Sequence, residues 1–138
     1  MNRALAALAR REYSLAELKR KLSRFAQSEN ELDQTLEVLQ SRGYLSEARF
    51  AENLVRKEAA RKGTAWIKQS LRQHDLPAEV IAEATGDLQA SEEARARTLW
   101  ERRFGVIADD PKERLRQMRF LAARGFSHEL IRRITRSS

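Results

Sequence analysis

Leu71-Arg72-Gln73-His74-Asp75-Leu76-Pro77-Ala78-Glu79-Val80-Ile81 sets an apolar spacing that returns fifty positions later in Leu121-Ala122-Ala123-Arg124-Gly125-Phe126-Ser127-His128-Glu129-Leu130-Ile131. Leu71, Leu76, Val80 and Ile81 match Leu121, Phe126, Leu130 and Ile131. Working outward, Phe50 and Leu54 match Trp100 and Phe104 at the same offset, while Ile67, Leu71 and Ile81 match Leu18, Leu22 and Leu32 at an offset of 49. Apolar residues three and four apart mark one face of a helix. Six pairs at one offset mark a repeat of the whole helical unit. The chain therefore reads as all-α, in three tandem three-helix repeats over residues 1–45, 46–90 and 91–138. Units of this kind bury their apolar faces against neighbours, which predicts an elongated and curved array.

Polar residues punctuate these faces. Ser14-Leu15-Ala16-Glu17 predicts a capping box, in which serine accepts from an orphan N–H and glutamate reaches back. Ser28-Glu29-Asn30-Glu31 predicts the same for the next helix, which stops at Arg42-Gly43 where glycine can turn left-handed. Ser46 reads as the start of a fourth helix, Thr64 as the cap of a fifth, Pro77 as the first turn of a sixth and Ser91 as the opening of a seventh. Asp110-Pro111-Lys112-Glu113 offers a cap, an N1 proline and a capping-box acid for an eighth helix running to Arg124-Gly125-Phe126, and Ser127 opens a ninth. Leu15, Leu18, Leu22 and Phe25 form one inward stripe. The spacing of Tyr44, Phe50, Trp66 and Trp100 among leucines assigns them to core packing and not to base stacking.

Charge is uneven along these units. The 138 residues carry 27 Lys and Arg against 20 Asp and Glu, a net charge of +7. Residues 1–45 hold eight basic and six acidic side chains, residues 46–90 seven of each, and residues 91–138 twelve basic and seven acidic. The positive field is strongest at the C-terminal end, which favours an anionic partner there. Cysteine is absent, so neither disulfides nor thiolate metal sites hold the fold. Apolar runs fall far short of the roughly 20 residues a membrane span needs, and the N-terminal Met1–Arg11 stretch reads as a first helix and not a signal peptide. These features predict a cytoplasmic monomer with no membrane partner. His74 and His128 fall in different units without partnering ligands, and no phosphate-cradling glycine loop occurs. The sequence predicts no catalytic residue, no metal and no cofactor, and hence no enzyme.

The motifs at the unit boundaries carry a family resemblance. Leu39-Gln40-Ser41-Arg42-Gly43-Tyr44-Leu45-Ser46-Glu47-Ala48-Arg49-Phe50-Ala51 resembles the RecX pattern of a leucine, a Gly-Tyr-Leu turn, an acidic position and then Phe-Ala. Lys62-Gly63-Thr64-Ala65-Trp66-Ile67 with Leu71 resembles that family's basic-glycine turn, although Thr64 stands where proline is common and Ser46-Glu47 replaces the commoner Ser-Asp. Arg10-Arg11-Glu12-Tyr13-Ser14 with Glu17, Leu18, Lys21 and Leu22 resembles its opening motif, and Arg124-Gly125-Phe126-Ser127 with Ile131 its closing one. The resemblance spans nearly the whole chain in order. It implies three tandem three-helix repeats and a non-enzymatic negative regulator of the RecA recombinase. Such a regulator binds the RecA–DNA filament in its helical groove and blocks filament extension, strand exchange and co-protease activity. Weak binding to single- and double-stranded DNA accompanies that role.

Partner-facing residues are expected on the polar faces. On the fourth helix, Arg49, Arg56 and Lys57 fall opposite or beside the apolar arc of Phe50, Ala51, Leu54 and Val55. Lys68 and Arg72 share the outward face of the fifth. Arg114, Arg116, Arg119 and Arg124 follow the eighth helix, and Arg132, Arg133 and Arg136 the ninth. Arginine suits such contacts because its planar fork donates in pairs to phosphate or carboxylate. Lys19, Arg20, Lys21 and Arg24 read as a solvated face. The alternative function is a general nucleic-acid-binding helical repeat protein.

Overall fold

In a computed structural model, which describes residues 1–136, the chain forms nine α-helices and no strand among the described residues. These are α1 (Asn2–Arg10), α2 (Leu15–Leu22), α3 (Glu29–Ser41), α4 (Glu47–Glu58), α5 (Thr64–Gln73), α6 (Ala78–Thr85), α7 (Leu88–Arg103), α8 (Pro111–Ala122) and α9 (His128–Thr135). The repeat read from the sequence is visible in the helices themselves. α3, α6 and α9 begin at Glu29, Ala78 and His128, the same offsets of 49 and 50. Leu32, Ile81 and Ile131 are buried at equivalent positions, as are Leu22, Leu71 and Leu121. α6 and α9 both end on a buried threonine, Thr85 and Thr135.

Capping explains most helix starts. Ser14 accepts from the Glu17 N–H while the Glu17 carboxylate accepts from the Ser14 N–H, both at 3.2 Å. Ser28, Ser46 and Ser127 each accept from the N–H three residues on. Each such cap is worth about 1 kcal/mol. Four starts and ends differ from the sequence reading. α7 opens at Leu88 and not at Ser91, because Leu88 is buried and the Ser91 hydroxyl donates to the Leu88 carbonyl from inside the first turn. Thr64 is the first residue of α5, and its hydroxyl accepts from Arg95 instead of capping. Pro77 precedes α6, its carbonyl accepting from Val80 and Ile81. α8 ends at Ala122, so Arg124 lies in the turn beyond it. Glu113 does not reach back to Asp110 but pairs with Arg116 at 3.1 Å, and Asp110 accepts from the Lys112 N–H.

The chain divides into two units, Met1–Asn53 with Leu71–Ala84, and Leu54–Ser70 with the residues from Thr85 onward. The core of the first holds Ala4, Tyr13, Leu18, Leu32, Leu36, Leu39 and Leu45. Leu18 and Leu39 are wholly enclosed, and burial of a leucine contributes about 2 kcal/mol. Two side chains from the start of α4 lock this unit: Glu47 accepts from the Leu15 N–H at 3.2 Å, and Arg49 pairs with Glu12 at 3.1 Å. Two residues predicted to be core lie outside it. Phe25 sits in a single 3-10 turn after α2 and is 49% exposed, because the helical stripe ends with α2 at Leu22. Tyr44, in the turn made possible by the left-handed Gly43, is 52% exposed.

The second unit packs Ala96, Trp100, Leu121, Phe126, Leu130, Ile131 and Ile134 together. Its buried polar groups are satisfied. Trp100 Nε1 donates to Gln117 Oε1 at 3.0 Å, and Gln117 Nε2 donates to the Val106 carbonyl at 3.0 Å, tying the α7–α8 loop down. The turn between α4 and α5 meets the turn between α8 and α9, where the Gly63 N–H donates to the Arg124 carbonyl at 2.7 Å.

Candidate functional site

The apolar face of α9 decides where its arginines go. Leu130, Ile131, Ile134 and Thr135 point inward, so Arg132 and Arg133 must point out. α8 likewise buries Gln117 and Leu121 and leaves Arg116 and Arg119 exposed. The two helices leave an open groove of about 500 Å³ lined by Arg114, Met118, Glu129, Arg132, Arg133, Thr135 and Arg136. Arg133 shares its charge with Glu93 at 3.3 Å, and Arg114 donates to the Ala108 carbonyl at 3.2 Å. Arg114 Nε is buried with no partner among the described residues. Neither Arg132 nor Arg136 has a carboxylate within ion-pairing distance among those residues. Glu129 is the one acid on the groove wall. Guanidinium forks donate in pairs to the oxygens of phosphate or carboxylate, the anion chemistry that a wall of this composition suits.

A second cluster lies on the same unit. Phe104 and Phe120 meet edge to face at 5.3 Å. Arg124 stacks 3.8 Å over Phe120 and donates to that residue's carbonyl at 3.2 Å. Arg103 is 5.9 Å from Phe120, and Arg116 is 5.7 Å from Phe104. Of the arginines expected to bind a partner, Arg114, Arg132 and Arg133 thus share the groove, and Arg116 and Arg124 share the aromatic pair. Arg119 is exposed on α8.

The residues expected in the middle of the chain are more scattered. Arg49 donates to the Gly43 carbonyl at 2.8 Å and to the Tyr44 carbonyl at 3.3 Å besides pairing with Glu12, so it closes its own turn. Arg56, Lys57 and Arg72 are exposed and Lys68 is half-buried. His74 lies 3.5 Å from Glu17 and edge-on to Phe50 at 4.9 Å. Among the described residues no three His, Asp or Glu side chains gather closely enough to hold a metal ion, and no helix is long and apolar enough to cross a membrane.

Two arginines went unread in the sequence. Arg103 was visible as a neighbour of Phe104 but not of Phe120. Arg95 gave no signal at all. It is half-buried, and all five of its N–H groups donate: Nε to Ser91 Oγ, Nη1 to the Ala59 and Lys62 carbonyls, Nη2 to Thr64 Oγ1 and the Leu88 carbonyl. Burial pushes its guanidinium below the ordinary arginine value, against the opposing pull of Glu92. Arg95 is thereby spent on the fold and unavailable to a partner.

Two family models match this chain. The model of the second three-helix domain of RecX matches residues 46–84, and that of the third three-helix domain matches residues 91–135. The regulatory protein RecX of Ralstonia nicotianae is 48% identical over 132 residues, covering 96% of this chain and 83% of its own length. That of Leptothrix cholodnii is 46% identical over 134 residues, covering 97% of this chain and 85% of its own length. The crystal structure of RecX from Lactobacillus salivarius superposes with a TM-score of 0.80 over 96% of this chain and 90% of that one, at 20% identity, which establishes likeness of fold.

Proposed function

The chain belongs to the RecX family, and from that membership we propose that it is a non-enzymatic negative regulator of the RecA recombinase. It binds the RecA–DNA filament and blocks filament extension, strand exchange and co-protease activity. The observation that carries this reading is the 48% identity to a regulatory protein RecX along 96% of the chain. The α8–α9 groove supports it, because its arginines suit a partner rich in phosphates or carboxylates. Arg49, Arg56, Lys57, Lys68 and Arg72 are further contact residues in this reading, as are Arg116, Arg119 and Arg124. The protein acts as a cytoplasmic monomer in units of residues 1–45, 46–90 and 91–138.

Adding the protein to RecA on single-stranded DNA is expected to lower ATP hydrolysis and strand exchange. Changing Arg114, Arg119, Arg132 and Arg133 together to alanine is expected to relieve at least tenfold of that inhibition, about 1.4 kcal/mol. Unchanged RecA activity at protein-to-RecA ratios of one and above defeats the proposal.

Direct nucleic-acid binding is the second reading, favoured by the same groove. Affinity for DNA is then expected to fall with a log–log salt slope of about −3, for some three or four phosphates engaged. Affinity indifferent to salt excludes it.

A further inference from the structure

We infer that the first unit carries a separate site for single-stranded nucleic acid, built on the exposed ring of Phe25. Phe25 is half-exposed at the end of α2, although the stripe that leads to it is apolar. The Arg3 guanidinium lies 3.9 Å over the ring and that of Arg24 lies 5.4 Å from it. Beside the ring runs a hollow of about 300 Å³ whose wall includes Arg3, Arg10, Lys21, Arg24 and Tyr13, with no acidic residue.

Charge accounting separates these four cations from their neighbours. Arg11 pairs with Glu17, Arg20 with Asp75, and Lys19 with Asp33 at 3.0 Å and Glu29 at 3.5 Å. The hydrogen bond to Asp33 holds the Lys19 ammonium above its ordinary value. Arg3, Arg10, Lys21 and Arg24 have no carboxylate partner among the described residues. A solvated face would mix its signs, as the Lys19 side does. This face presents unpaired cations around an aromatic ring, the pairing that single-strand binders use: cations for the backbone, a π-face for the base. Acidic side chains would satisfy the cations but give the ring no aromatic face to stack on. Arg24, at the looser distance, can swing to a phosphate as a base takes its place, and the Arg3 plane is itself a stacking surface. A second hollow that Phe25 also lines includes Glu31, so the strand is expected to follow the Arg10–Lys21 wall.

This site goes beyond the RecA reading and does not depend on it. The test uses the full chain, without RecA, in a background with Arg132→Ala and Arg133→Ala that silences the α8–α9 groove. A fluorescent oligothymidine is titrated by anisotropy, beside a duplex of equal length. Phe25→Ala is expected to weaken single-strand binding about tenfold, with duplex binding within twofold, and Phe25→Trp to restore it. Arg10→Gln with Lys21→Gln is expected to reduce the steepness of the single-strand salt slope by about 1.4, two phosphates at 0.7 each. Unchanged affinity in Phe25→Ala overturns the proposal. So does an equal loss for duplex, which reports charge alone, or displacement of the oligonucleotide by polyglutamate as readily as by unlabelled strand. A far-ultraviolet circular dichroism spectrum matching the parent shows that each variant is folded.

Discussion

Replacing Arg95 with alanine is expected to lower the stability of the second unit by about 3 kcal/mol, with a fall in melting midpoint on the order of 10 °C. The loss comes less from the charge than from the acceptors left behind. Carbonyls of Ala59, Lys62 and Leu88 all end on this one guanidinium, together with the hydroxyls of Ser91 and Thr64. Ala59 and Lys62 follow α4, where helix-terminal carbonyls need partners, and Arg95 supplies them from α7. Without it the partly buried oxygens have to find water or open the turn. Lysine is expected to recover less than half, since an ammonium offers three donors from a point and cannot span five acceptors as a planar fork does. Arg97→Ala provides the contrast. Its guanidinium pairs with Glu93 at 3.3 Å, both side chains are 44% exposed, and the expected change is under about 0.5 kcal/mol. Thermal unfolding followed by circular dichroism separates these outcomes.

Arg95 also shows where reading the sequence stops. Helix faces and caps are local, so Ser14 with Glu17 and the leucine stripes announce themselves, and the 50-residue offset extends them to the whole fold. A partner 36 residues away, as Ala59 is from Arg95, leaves no periodic trace. The same limit misplaced α7: a serine followed by acids looks like a helix start at Ser91, but burial of Leu88 added a turn before it. It misplaced Phe25 as well, because spacing shows which face a residue occupies and not whether another element covers that face. For the candidate groove, composition located the cationic end of the chain. Only the packing of α9 on its Leu130–Ile131–Ile134 face turned Arg132 and Arg133 together into the groove. Arg124 was legible as a charge, yet its stacking on Phe120 required the turn that ends α8 at Ala122.

Gly125→Ala is expected to be the most damaging of three glycine substitutions, and the other two divide its cost into parts. Gly125 has φ +85°, and a Cβ there falls 2.5 Å from the Trp66 Cβ and 3.0 Å from the Trp66 amide nitrogen. Gly43 has a similar φ of +78° but nothing within 4 Å of its would-be Cβ. Gly43→Ala therefore measures the left-handed backbone alone, about 1 kcal/mol. Gly63 is the converse: its φ lies outside the left-handed range, but its Cβ would run into the Gly125 carbonyl and come 2.8 Å from the Phe126 nitrogen. That obstacle is backbone, which cannot swing aside as a side chain would, and the Gly63 N–H to Arg124 bond of 2.7 Å holds the two turns at this spacing. Gly63→Ala is expected to cost about 3 kcal/mol, in the range of overpacked cores. Gly125→Ala combines both terms, so a loss of about 4 kcal/mol or more is expected, enough to remove most of the stability of a marginal domain. Urea unfolding midpoints should fall in the order Gly43, Gly63, Gly125. Near-equal losses for Gly43 and Gly125 would show that the two turns yield to a methyl group, and that their close approach does not hold the second unit together.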